Sequence, residues 1–262
     1  MYHLLASLCV CALLLPPAAF AVEDPLAKGQ GDHVAQVIGW SQDEKRFALR
    51  LYAHAQRPAQ GVETAPEACE GYVNPEGNPF HGSLAVLAYE GTRLLALFPI
   101  QDEGACTPLS EAQRRLDAAT KRLASLGIPL GSPSKELLFS SGPGSLQVQA
   151  GPQAPYRLEY VERILPQAPE PKSGMQRGTL EQELYVIKAE VRKKVLSRRT
   201  AYAYSTGAAG YWRPGLDRIF VSPSGKTLVV VGAERVGNLS GGRKSLRLLG
   251  VLSWVGETLK PD

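Results

Sequence analysis

The sequence predicts a mainly β (or α+β) fold: antiparallel sheets built from hairpins, with one long amphipathic helix near 108–126. Three observations carry this. Apolar residues alternate with a period of two in several short runs, turn residues separate those runs, and a single stretch has helical periodicity instead. The 262 residues are 44% hydrophobic and 21% charged, with 26 Gly and 20 Pro, and the 29 basic and 25 acidic groups leave a net charge of +4. That is globular composition, and it excludes collagen, a coiled coil, a wholly disordered chain and a polytopic membrane protein.

The strands follow in order. Phe47, Leu49 and Leu51 alternate with Ala48, Arg50 and Tyr52, and Val34–Trp40 precedes them across the turn Ser41-Gln42-Asp43-Glu44-Lys45. Further hairpins are expected for 84–89 with 93–99, joined by Glu90-Gly91-Thr92, and for 136–140 with 145–149, joined by Ser141-Gly142-Pro143-Gly144. Near the end, Arg218–Val221 and Leu228–Val231 flank Ser222-Pro223-Ser224-Gly225-Lys226. There Pro presets φ and Gly permits φ > 0.

The helix begins with Thr107 as cap and Pro108 at its first position. Leu109, Ala112, Leu116, Ala119, Leu123 and Leu126 form one apolar stripe. Glu111 with Arg115 and Asp117 with Lys121 are spaced for ion pairs on the wet side, and Gly127 ends the helix. Segment 181–206 fits both periods. Its alternation of Tyr185, Ile187, Ala189 and Val191 with charged residues, followed by the β-like Thr200–Tyr204, favours strand over helix. Residues 166–178 carry three Pro and two Gly without apolar periodicity. They read as a mobile connection that divides one exported domain, 22–262, into possible lobes at 30–165 and 180–262.

Residues 4–20 are apolar apart from one Ser, and Ala19-Phe20-Ala21 places small residues at −3 and −1. This is the layout of a secretory signal peptide over 1–21, although the n-region lacks Lys and Arg. The alternatives are an uncleaved anchor and, less favoured, a lipoprotein. Cleavage would leave two cysteines, Cys69 and Cys106. In an oxidising compartment an even pair suggests a disulfide, against the alternative of two buried thiols. No metal is expected, because neither cysteine has C-x-x-C spacing, and His33, His54 and His81 form no zinc pattern.

No cofactor is expected either. Gly225-Lys226-Thr227 lacks the first Gly of a phosphate loop, where Phe220 stands, and no G-x-S-x-G elbow occurs. Asp43/Glu44, Asp102/Glu103 and Glu181/Glu183 are carboxylate pairs that could serve a hydrolytic dyad, and they read better as solvated. Charge is distributed unevenly. Residues 1–134 carry 10 basic and 14 acidic groups, and residues 135–262 carry 19 and 11. The steepest region holds Arg192, Lys193, Lys194, Arg198 and Arg199, followed by the aromatics Tyr202, Tyr204, Tyr211 and Trp212. A basic face beside aromatics can hold an anionic polymer or sugar, and the alternative is a solvated strand face beside core aromatics.

The turns Trp40–Ala48 and Val221–Val229 look like the hairpin motif of TolB-type, WD-like propeller blades, in which Ser-Pro-Asp-Gly-Lys joins two strands. The first copy has Gln42 for Pro and Glu44 for Gly, and the second has Ser224 for Asp. That resemblance implies an incomplete β-propeller as the alternative fold. The signal peptide, the Gly-Trp-Ser strand and the Ser-Pro-Ser-Gly-Lys hairpin together resemble uncharacterised predicted secreted proteins of bacteria, which implies export and carries no site over.

The expected function is therefore a non-enzymatic binding or structural component of the bacterial envelope, periplasmic or at the cell surface. Its partner would be an anionic envelope glycan, a lipid headgroup or another envelope protein, with no nucleic acid and no membrane span after cleavage. The alternative is an exported hydrolase whose site is assembled from distant residues.

Overall fold

The computed structural model describes residues 33–54, 82–101, 107, 109–132, 134–139, 143–149, 151–167, 175–205, 215–236 and 243–262. Three antiparallel sheets and one helix account for most of them. The first sheet is a meander of β1 (His33–Trp40), β2 (Arg46–His54), β3 (Gly82–Glu90) and β4 (Arg93–Gln101). Helix α1 (Leu109–Ser125) follows, then β5 (Lys135–Leu138). The outer sheet is a second meander, β6 (Gly144–Val148), β7 (Tyr156–Pro166), β8 (Met175–Lys188) and β9 (Val191–Ser205). The central sheet has β10 (Gly215–Val221), β11 (Thr227–Val236), β12 (Arg243–Val255) and β13 (Thr258–Pro261), with β5 added beside β10.

The layers stack in the order helix, first sheet, central sheet, outer sheet, and the side-chain alternation shows why. On β2, Ala48 and Tyr52 pack with Leu116, Ala119 and Leu123 of α1. Phe47 and Leu49 point the other way, into a cluster with Phe220, Val229 and Val231 of the central sheet. On β11, Leu228 and Val230 face the outer sheet and pack with Leu158, Leu184 and Val186. The central sheet is thus covered on both faces. All of Leu228–Val231 is fully buried, which is why that run is continuously apolar where a half-buried strand would alternate.

The helix ends as its residues dictate. Gly127 has φ of 73°, its N–H donates to the Ala124 carbonyl at 2.9 Å, and Ile128 N–H donates back to Leu123 at 3.0 Å. This is a Schellman closure, with Ile128 and Leu123 in one apolar cluster. Arg46 Nη1 donates to the remaining Leu126 carbonyl at 2.6 Å and so ties the helix to β2. Of the expected ion pairs, Arg115 meets Glu111 at 2.8 Å, and Asp117 accepts from Gln113 at 2.9 Å. The segment past the helix returns beside β1, where Gly131 N–H donates to Ile38. Gly39 is required there, because a Cβ would stand 2.4 Å from the Pro129 carbonyl oxygen.

One hairpin is corrected. Residues 136–140 and 145–149 do not pair. β5 runs against β10, and β6 runs against β7 in another sheet. Phe139 extends the β5 ladder through its N–H to Asp217 at 2.8 Å and is buried against Tyr160 of the outer sheet. Burying Phe139 between two layers favours a chain that changes sheet here over one that folds back on itself. The described part of segment 181–206, which ends at Ser205, is strand as expected, but it contains a hairpin. Ala189 and Glu190, with φ of 45° and 68°, turn β8 into β9. The stretch 166–178, expected to be a connection throughout, is strand at both ends: Pro166 closes β7, 175–178 open β8, and Pro166 pairs with Gly178 in one sheet.

Among the described residues no helix is long and apolar enough to cross a membrane. The expected signal peptide over 1–21 and the expected Cys69–Cys106 disulfide lie outside the described residues.

Candidate functional site

The basic run lies on β9, the edge strand of the outer sheet. Strand periodicity divides it between two faces. The register places Arg192 opposite Ile187, Lys194 opposite Tyr185 and Arg199 opposite Glu181, all on the face turned away from the core. Arg198 lies opposite buried Gln182, on the inner face, and Lys193 lies opposite Val186. Tyr202 and Tyr204 continue the strand opposite Gly178 and Gln176, while Tyr211 and Trp212 lie outside the described residues.

On the solvent face each of three cations meets a carboxylate from β7 or β8. Arg192 Nε bonds Glu159 Oε2 at 2.6 Å, Lys194 Nζ bonds Glu183 Oε1 at 2.7 Å, and Arg199 Nη2 bonds Glu181 Oε1 at 2.6 Å. The Arg192 guanidinium also lies over the Tyr185 ring, 3.4 Å from its centroid, and Tyr185 Oη donates to Glu183 Oε2 at 2.6 Å. Glu159, Arg192, Tyr185, Glu183 and Lys194 thus form one connected array across three strands. The Lys194 ammonium, and then the Tyr185 hydroxyl, hold the Glu183 carboxyl below its ordinary range. Glu159 in turn raises the Arg192 guanidinium, and Glu183 raises the Lys194 ammonium.

Register adds Arg157 and Arg163 of β7 to the same face. The described face therefore presents Arg157, Arg163, Arg192, Lys194 and Arg199 against Glu159, Glu181 and Glu183, a surplus of two positive charges. The sequence singles out the β9 cations Arg192, Lys194 and Arg199 but not Arg157 and Arg163 of β7, nor the carboxylate partners. The signal was present in Glu181 and Glu183, whose spacing of two on a strand puts both carboxylates on one face.

The inner face carries a second polar group that the sequence reading missed. Tyr160 Oη donates to Glu162 and accepts from Gln182 Nε2 at 2.7 Å and from the Leu216 N–H at 3.0 Å. Burial pushes the Tyr160 hydroxyl well above the ordinary phenol range. Arg198 lies nearby, its guanidinium shifted down chiefly by burial and then by the neighbouring Arg247. These groups tie β7, β8 and β10 together and surround a void of only about 10 Å³, the size of one water.

Among the described residues no three His, Cys, Asp or Glu side chains converge as metal ligands. No family model, no curated protein and no solved structure matches this chain.

Proposed function

We propose that this chain is an exported, non-enzymatic binding component of a bacterial envelope, and that the solvent face of the outer sheet, centred on β9, is where it holds an anionic glycan. The observation that supports the reading is the charge count among the described side chains of that face, five cations against three carboxylates, on three adjacent strands whose other face is core. The ion pairs fix the cations at strand spacing, so a polyanion meets an ordered array instead of free side chains. The leader-like 1–21 supports an extracytoplasmic address, where negatively charged glycans are the abundant polyanions.

The test is capture of the purified protein by isolated envelope glycan bearing carboxylates, compared with the same glycan after its carboxylates are amidated. Wild type is retained by the first and released by added salt. The triple variant Arg192→Glu, Lys194→Glu, Arg199→Glu, with its far-UV spectrum unchanged, is not retained. Equal retention of both proteins would remove β9 as the binding element.

A further inference from the structure

The arginines of the outer-sheet face occupy its two ends. Arg157 and Arg192 flank Ile187 in one row across the strands, and Arg163 and Arg199 flank Glu181 in another. Arg157 and Arg163 are six positions apart on β7, an even separation, so both leave the same face, about 20 Å apart at ordinary strand rise. Arg192 and Arg199 are seven positions apart on β9, an odd separation that would turn Arg199 inward in a regular strand. A bulge corrects this. Val195 is the extra residue opposite the step from Leu184 to Tyr185, and it returns Arg199 to the solvent face beside Glu181.

Charge is divided along the face accordingly. The two rows between the ends are Glu159, Tyr185, Lys194 and Val161, Glu183, Ser197, and they carry two carboxylates and one cation. One end carries Arg157 and Arg192 alone, and the other carries Arg163 and Arg199 against Glu181. The surplus of positive charge therefore sits at the ends, and the centre is one charge negative. Pairing sharpens the contrast. Arg192 bonds Glu159, Lys194 bonds Glu183 and Arg199 bonds Glu181, whereas the exposed Arg157 and Arg163 have no bonded carboxylate among the described residues. Each end thus holds one cation whose charge is open to a ligand.

We infer that the face selects a glycan whose acidic sugars are spaced by neutral ones, with two of its carboxylates, about 20 Å apart, held by Arg157 and Arg163. A chain acidic at every sugar would set carboxylates over Glu159 and Glu183, at the cost of like-charge repulsion. A neutral sugar at the centre meets the exposed Ser197 hydroxyl without that cost. The inference rests on the reading of this face as a glycan-binding surface, and adds the spacing it selects and the two residues that select it. Once one arginine is engaged, contact with the second is intramolecular, so it raises affinity only for a chain long enough to reach both.

The test is calorimetric titration of the full chain with oligosaccharides that alternate glucuronate and N-acetylglucosamine. The hexasaccharide places its outer carboxylates four sugars apart, which reaches both arginines, and the tetrasaccharide places them two apart, which does not. Wild type binds the hexasaccharide at least about tenfold more tightly than the tetrasaccharide. Arg157→Gln and Arg163→Gln, each with an unchanged far-UV spectrum, bind the two lengths alike. Lys135→Gln removes the same charge from β5 of the central sheet and keeps the length step. A galacturonate hexamer, acidic at every sugar, binds wild type more weakly than the alternating hexasaccharide. Equal affinity of wild type for both lengths, or a step that survives either arginine variant or is lost in Lys135→Gln, would overturn the inference and leave the face a glycan site. So would a galacturonate hexamer that binds as tightly as the alternating one. Binding of neither alternating oligosaccharide overturns it too, and removes the underlying reading as well if their parent polymer is not bound either.

Discussion

Glu44 hydrogen-bonds a hairpin 180 residues away in the sequence: its carboxylate accepts the Ser224 N–H at 2.8 Å and the Ser222 hydroxyl at 2.6 Å. The two turns share one construction. Ser41 and Ser222 each donate an N–H across the turn, to Arg46 and Thr227 at 2.8 Å, and each accepts the return N–H on its Oγ, at 2.9 and 3.0 Å. The fourth residue of each is left-handed, Glu44 at 57° and Gly225 at 74°. Glutamate in the glycine position of the first turn joins the first sheet to the central one.

Glu44→Ala keeps the unfavourable φ and removes the hydrogen bonds, so it destabilises the fold by about 2 kcal/mol. Glu44→Gly recovers roughly 1 kcal/mol of that by removing the steric conflict. Urea unfolding of both variants checks the order, with Ala below Gly and Gly below wild type.

Arg218 spans two layers of the stack. Its Nε meets Asp217 at 2.6 Å, and its Nη1 meets Glu136 at 2.7 Å and the Ala35 carbonyl of β1 at 3.3 Å. Asp217 is 6% exposed, so Arg218→Ala removes a cation from a buried carboxylate and costs about 3 kcal/mol. Arg192→Ala breaks a pair on the open face, where solvent screens the charges, and costs far less than Arg218→Ala. Comparable losses in a denaturant series would contradict the layer assignment.

Residues 189 and 190 both have φ > 0, in a turn of the type that favours Asn-Gly. Replacing Ala189-Glu190 by Asn-Gly should raise stability by about 1 kcal/mol, seen as a higher urea midpoint with an unchanged slope.

Burial raises the Tyr156 hydroxyl from 10.0 to about 12, and raises Tyr160 further still. Each folded-state value lies above the unfolded one, so the stability linked to these phenols is complete below pH 10. It is lost as pH rises through the folded values. A phenolate absorbance titration should show these two tyrosines ionising late and together with unfolding. Ionisation near pH 10 with the fold intact would contradict their burial.

Much of this architecture is legible in the residues. Leu228–Val231 is apolar at every position because the central sheet is covered twice, and Ser-Pro-Ser-Gly-Lys specifies its turn through Pro and Gly. The turn at Ala189-Glu190 is illegible because neither residue advertises positive φ. The exchange of sheets at Phe139 is illegible because Gly142-Pro143-Gly144 suits a hairpin equally well, and burial between distant strands decides the outcome. The cations of β9 are visible in the sequence. Their neutralising partners, Glu159, Glu181 and Glu183, become visible only once the register is known.

The central functional claim rests on the surplus charge of the outer sheet. Calorimetric affinity for a carboxylated envelope glycan, measured across a salt series, tests it most directly. The account predicts binding that weakens steeply with salt in wild type and is absent in the Arg192→Glu, Lys194→Glu, Arg199→Glu variant. Binding of equal strength in both proteins, or binding indifferent to salt, would contradict it.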